Sequence, residues 1–96
     1  MNPKDKVRRL TMPQMQALKG FILNSPMSSQ ASGERMNLSG KELGGIHSSL
    51  LRNGFIEPIG RNEDRSLNFK VTDQVKKEKN DILKLIDSIE TIYKNS

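Results

Sequence analysis

Between Leu38 and Ile56 the chain carries the start signal, both faces and the stop signal of one helix. Ser39 and Glu42 have the spacing of a capping box. In that motif the hydroxyl accepts a first-turn backbone N–H and the carboxylate reaches back to the cap's own N–H. Leu38 and Leu43 are spaced as a hydrophobic staple. Gly54 stands where a helix ends in the left-handed conformation, with apolar Phe55 behind it. At about 100° per residue, Leu43, Ile46 and Leu50 share one face, with His47 beside them. Lys41, Gly45, Ser48 and Arg52 share the opposite face, flanked by Gly44 and Ser49. That outer face is small, polar and basic. It suits a helix that approaches a phosphate backbone and brings hydroxyls and a guanidinium near base edges. A plain solvated surface helix has the same two-faced pattern, so the segment that follows has to separate the two readings.

Phe55 to Ile59 is a short apolar run, and Gly60 to Ser66 is polar and turn-forming. Leu67-Asn68-Phe69-Lys70-Val71 then alternates with the period of a half-buried strand. The order is helix, glycine, strand, basic loop, strand.

Upstream, Thr11 and Gln14 form a second capping box, with Leu10 and Met15 as its staple and Pro13 in the tolerant first turn. Met15, Leu18, Phe21 and Ile22 make an apolar stripe that predicts a helix ending near Asn24, because Ser25 precedes Pro26. Residues 1–9 are basic and offer little to bury; they are expected to form a flexible arm. Residues 25–37 are Ser-rich, anchored only by Met27, Ala31 and Met36. They read either as a short helix capped at Ser25-Pro26 and ended by Gly33, or as a mobile loop. A second parse breaks the 39–53 helix in two at Gly44-Gly45. The single helix is preferred, since the split leaves two pieces shorter than the ~11-residue average.

From Thr72 the pattern changes. Asp73 is placed to cap a helix running to about Tyr93. Val75, Ile82, Leu85, Ile86, Ile89, Ile92 and Tyr93 form a near-heptad stripe, with Leu83 off it. A helix of ~20 residues is about 30 Å long, more than a small domain covers, and a second copy is the simplest partner for the remainder. Ile82, Leu85, Ile86, Ile89, Ile92 and Tyr93 are therefore the expected homodimer interface, in an antiparallel or crossed pair packed also on the first helix; the alternative is a helix that folds back on its own domain.

The net charge is +5, yet residues 72–96 hold five Lys and five Asp or Glu, so the whole excess lies in residues 1–71. That is where a nucleic-acid surface is expected if the C-terminal segment has another task. The 96 residues suit one domain with a modest core. The chain has no Cys, which removes disulfides and thiolate metal sites and agrees with a cytoplasmic location. No apolar run approaches the ~18 residues of a membrane span, so no membrane role is expected. His47 is the only histidine, and on the apolar side of its helix it reads as a packed residue rather than a ligand. Ser48 and Ser49 have no base nearby other than His47, whose side chain diverges from theirs on a helix. No phosphate-binding glycine loop is present. The expectation is a non-enzyme with no catalytic residues, metal or cofactor.

The run Lys41-Glu42-Leu43-Gly44-Gly45, then Leu50-Leu51-Arg52-Asn53-Gly54-Phe55-Ile56-Glu57 and Gly60-Arg61, resembles the recognition helix and wing of winged helix-turn-helix DNA-binding proteins of the bacterial and archaeal transcription-regulator type. The resemblance covers roughly residues 10–71. It implies a mainly α fold: a three-helix core, a two-stranded antiparallel wing and a long C-terminal dimerisation helix over 72–96. It also implies that Lys41, Gly45, Ser48, Ser49 and Arg52 face the major groove of double-stranded DNA. Arg61, Asn62 and Arg65 would sit on the wing, near the minor groove or flanking phosphates. Two departures stand out: few long side chains on the outer helix face, and Glu63 and Asp64 beside the wing arginines. They keep open backbone-dominated DNA binding, and a second reading as a protein–protein interaction module.

Overall fold

The computed structural model describes residues 2–95; Met1 of the expected arm and Ser96 of the C-terminal segment lie outside them. In chain order the elements are α1 (Pro3–Val7), α2 (Met12–Leu23), β1 (Met27–Ser28), α3 (Ser29–Met36), α4 (Gly40–Arg52), β2 (Ile56–Arg61), β3 (Leu67–Val71), α5 (Asp73–Lys77) and α6 (Lys79–Lys94).

α2 forms as its local signals require. Thr11 N donates to Gln14 Oε1 (2.9 Å) and Gln14 N to Thr11 Oγ1 (3.3 Å), so the capping box is complete. Met15, Ala17, Leu18 and Phe21 are buried, and Asn24 caps the C-terminal end.

Residues 25–37 are a strand and a helix, not a loop. The cap is Ser28, whose Oγ accepts Ala31 N at 2.9 Å, rather than Ser25. Gly33 does not end the helix; it lies inside α3, buried. A Cβ there would lie 2.6 Å from Leu43 Cδ2 and 2.7 Å from Leu38 O. The glycine's task is close approach between α3 and α4. Termination falls to Asn37, which takes the left-handed conformation (φ 56°) and gives α3 and α4 their tight turn.

α4 is one helix through Gly44-Gly45, which decides between the two parses. Its start differs from expectation. Ser39 makes no capping hydrogen bond, and Gly40 turns with φ +64°. Its end is as expected: Phe55 N bonds Leu50 O (3.0 Å), Gly54 N bonds Leu51 O (3.1 Å), and Gly54 has φ +73°. These are the two bonds of a Schellman motif, with Leu50 and Phe55 as its buried apolar pair.

The wing hairpin β2–β3 is antiparallel, and a third strand joins it. The order is β1-β3-β2, with Met27 opposite Phe69 and Ile56 opposite Val71. The two-residue β1 is too short for a period-two signal. Phe21, Phe55, Phe69, Leu18, Leu50, Ile56, Ile82, Ile86, Val7 and Val75 fill one core.

Two expectations for the chain ends are corrected. The arm is a helix: Asn2 Oδ1 accepts Asp5 N (3.0 Å), and Pro3 and Val7 are buried. Five residues suffice because Val7 reaches the shared core, which composition does not reveal. The C-terminal helix is two helices. Glu78, at φ −115° and ψ 18°, separates them, and the N-cap position is Thr72 rather than Asp73. Ile82 and Ile86 are fully buried in their own chain, so neither offers surface to a second copy. α6 folds back instead: Gln16 Nε2 donates to Glu90 Oε1 (2.7 Å), and Lys19 bridges Asp87 (3.1 Å) and Glu90 (3.4 Å). Those carboxylates raise the Lys19 pKa, the hydrogen bond to Asp87 most. Leu85 and Ile89 are partly buried against the same core, whereas Ile92 (68%) and Tyr93 (65%) stay exposed.

Candidate nucleic-acid interface

α4 is seated by its inner face. Ile46 and Leu50 are buried, and His47 is wedged between Phe21 (ring centroids 5.6 Å apart) and Phe69 (5.5 Å). His47 Nε2 lies 2.8 Å from Ser32 Oγ, so one buried hydrogen bond joins the two helices across their turn. Burial pushes the imidazole pKa down, which favours the neutral ring. His47 is a packed residue, as its position on the helix predicts.

The seating leaves Lys41, Gly44, Gly45, Ser48 and Arg52 exposed. Lys41 and Arg52 stand about 16 Å apart along the axis, three turns of helix. Among the described residues, no hydrogen bond or ion pair engages either cation. Among the described residues, and apart from the adjoining turns of the helix itself, nothing lies within 4 Å of a Cβ built on Gly44 or Gly45. Ser49 departs from the sequence reading: it is only 7% exposed. It sits about 80° around the helix from Lys41, and the fold covers that flank.

In the wing, Arg61 and Arg65 are exposed. Arg61 Nη1 donates to Arg65 O (2.6 Å), which ties the two arginines across the turn. Arg65 has φ 71°, an uncommon conformation for a residue with a side chain. Asn62 is occupied within the wing. Its amide and that of Asn68 donate to each other (3.2 and 2.6 Å), and it also donates to Ser66 Oγ (3.1 Å). It is nonetheless exposed, as its expected place on the wing requires. Asp64 likewise accepts Ser66 N (3.0 Å), and the Ser66 hydrogen bonds hold its carboxyl below the usual pKa range. One of the two wing acids therefore closes the turn, and Glu63 remains exposed.

One contact to this helix had no signal in the sequence. Lys6 Nζ donates to the backbone O of Asn53, at the C-terminal end of α4 (3.2 Å), across 47 residues of chain. Among the described residues, no group of three or more His, Cys, Asp or Glu is placed to hold a metal. Among these residues, no helix is long and apolar enough to cross a membrane.

A three-helix core with a tight turn before an exposed, seated helix, followed by a β-hairpin, is the winged helix-turn-helix fold. No protein-family model and no curated protein matches the sequence. Solved structures match the fold. AbfR in its disulfide-formed state superposes with a TM-score of 0.72 at 19% identity, over 88% of this chain and 60% of that one. Reduced AbfR bound to DNA gives 0.71 at 20% identity, over 88% and 64%. The PcaV transcriptional regulator from Streptomyces coelicolor, in complex with its natural ligand, gives 0.69 at 20% identity, over 88% and 60%. MarR gives 0.71 at 18% identity, over 88% and 63%. The chain thus spans about 60% of the length of the first of these structures.

Proposed function

We propose that this chain binds double-stranded DNA as a small dimeric regulator of transcription, with α4 in the major groove and the wing on the adjacent backbone or minor groove. The observation that carries the reading is the unengaged face of α4: Lys41, Gly45, Ser48 and Arg52, exposed at the surface of a fold that AbfR is seen to share while bound to DNA. Arg61 and Arg65 extend the cationic surface onto the wing. The face has one guanidinium and one ammonium at its ends and small groups between them. This supports binding dominated by the phosphate backbone, with Arg52 the best-equipped base reader.

The homodimer reading now rests on the distal end of α6, where Ile92 and Tyr93 are exposed, and on exposed Leu23 of α2. A two-fold pair would recognise half-sites about one helical turn apart. No catalysis is assigned; His47, the base adjacent to Ser48 in sequence, is bonded to Ser32 in the core. On this reading the protein works in the cytoplasm.

The test is fluorescence anisotropy with a random-sequence duplex across a salt series. Log affinity should fall linearly with log salt, the slope counting the phosphates neutralised. Arg52→Ala should then cost about 1–3 kcal/mol on the preferred site and relax one position. An equal loss on every sequence would remove the base-reading role. Absence of binding at low salt would favour the second reading, a protein–protein module, for which Glu42 and Glu63 interrupting the cationic face are the supporting observation.

A further inference from the structure

Four cations lie in the first nine residues, and one of them is directed inward. Lys4 meets Asp81 of α6 at 3.7 Å in an exposed pair, and Arg8 and Arg9 are exposed. Lys6 is half-buried and reaches the end of α4, where its ammonium donates to Asn53 O. The carbonyls that close a helix have no partner of their own within it. Here several of them find partners at the helix end. Leu50 O and Leu51 O accept Phe55 N and Gly54 N, and Ser49 O accepts both Asn53 N (3.1 Å) and Asn53 Nδ2 (2.8 Å). Beyond the helix, Gly54 O accepts Thr72 Oγ1 (2.7 Å). Asn53 O is taken by Lys6, a partner supplied by α1, 47 residues away in the chain. A cation at this end also opposes the partial negative charge of the helix C-terminus. Asn53 directly follows Arg52, the last residue of the exposed face, and α1 is itself anchored by Val7, which is fully buried.

We propose that Lys6 is a positioning residue for DNA recognition. Through Asn53 it fixes the terminal turn of α4, so that Arg52 projects at one angle from a rigid support. The inference rests on the DNA-binding reading, but its tether has a test of its own.

The experiment compares wild type, Lys6→Met, Lys6→Arg, Lys4→Met, Arg52→Ala and the Lys6→Met/Arg52→Ala double variant. Each is assayed by anisotropy on one duplex over a salt series, and by amide hydrogen exchange without DNA. Lys6→Met should weaken binding about three- to tenfold, the scale of coupling between neighbouring residues. Its salt slope should not change, and it should add nothing in the Arg52→Ala background. Lys6→Arg should restore most of the loss. Lys4→Met, the same change of charge on the same helix, should stay within about twofold of wild type. Gly54 and Phe55 amides should exchange faster in Lys6→Met. Additive losses with a salt slope reduced by about one would make Lys6 itself a phosphate contact and overturn the proposal. Unchanged affinity and unchanged exchange would overturn it as well. If wild type binds no DNA but Lys6→Met still accelerates exchange at Gly54 and Phe55, the tether stands and the DNA reading falls; if exchange is also unchanged, both fall.

Discussion

Gly45→Ala separates what the protein needs for its own stability from what it needs at its surface. Gly45 lies inside α4, is exposed, and takes no positive φ. A Cβ built on it meets nothing within 4 Å. The substitution therefore removes no contact and creates no clash within the chain. What remains is helix propensity, which favours Ala over Gly by about 0.8–1 kcal/mol. For a domain of this size that corresponds to a rise in Tm of about 4–8 °C. On the DNA the sign reverses. If the face enters the groove closely enough for a glycine to matter, the methyl must displace the helix or its partner, at about 1–3 kcal/mol for an overpacked contact. That is roughly a fivefold to 150-fold loss of affinity, since 1.4 kcal/mol is a factor of ten. Thermal melting and anisotropy on the same preparation read both quantities. A variant that is more stable and binds DNA as tightly as wild type refutes close approach at Gly45. A variant that is no more stable refutes the claim that the surroundings of Gly45 are empty.

Gly33→Ala is the opposite case: it improves propensity inside α3, yet the methyl meets Leu43 and Leu38 O well inside contact distance. It should destabilise by about 1–3 kcal/mol in urea unfolding; a neutral result would mean that the α3–α4 approach is looser than described. The pKa of His47 is lower folded than unfolded, so its contribution to stability is complete above the unfolded value of about 6.5, falls as pH drops through that value toward the folded pKa, and is level below it. Urea unfolding at about pH 7.5 and about pH 5.5 should show that fall, and His47→Gln should lessen it; equal falls in both proteins would clear His47 of the effect. Ile82→Ala should cost about 2–5 kcal/mol, as a fully buried core truncation. Ile92→Asp should leave the monomer's unfolding within about 0.5 kcal/mol but shift sedimentation toward monomer; an unchanged sedimentation profile would remove Ile92 from the dimer contact.

What could be read from the sequence was what short-range chemistry decides. The capping box at Thr11 and the stripe behind it specified α2 from start to finish, and Gly54 specified the end of α4. The same box spelled at Ser39 did not form, because Gly40, the first residue of α4, takes a left-handed conformation. Nothing in the spacing distinguishes the two cases. α3 escaped because its defining residue, Gly33, answers to Leu43 on another helix. α1 escaped because five residues leave no periodicity and depend on where Val7 is received. The Ile stripe of α6 was legible as a stripe, but periodicity does not say whose surface covers it, and Ile82 and Ile86 turned out to be covered at home. At the candidate interface, Lys41, Gly45, Ser48, Arg52, Arg61 and Arg65 reach the surface as the helix and hairpin patterns imply. Asn62 is exposed as well, but its hydrogen bonds to Asn68 and Ser66 are ones that a linear reading does not rank, and Ser49 lay at the margin of its face.

The strand order β1-β3-β2 also sets a timetable. The last strand made is the one in the middle, and both neighbours precede it in the chain. During synthesis the residues of α2, α3 and α4 are all made before Leu67–Val71, and until then the strand partners of Met27 and Ile56 do not exist. A single late segment thus closes a loop that encloses the whole helix-turn-helix. The entropy of that closure grows only slowly with the length enclosed, so the helices between the strands add little to the cost of completing the sheet.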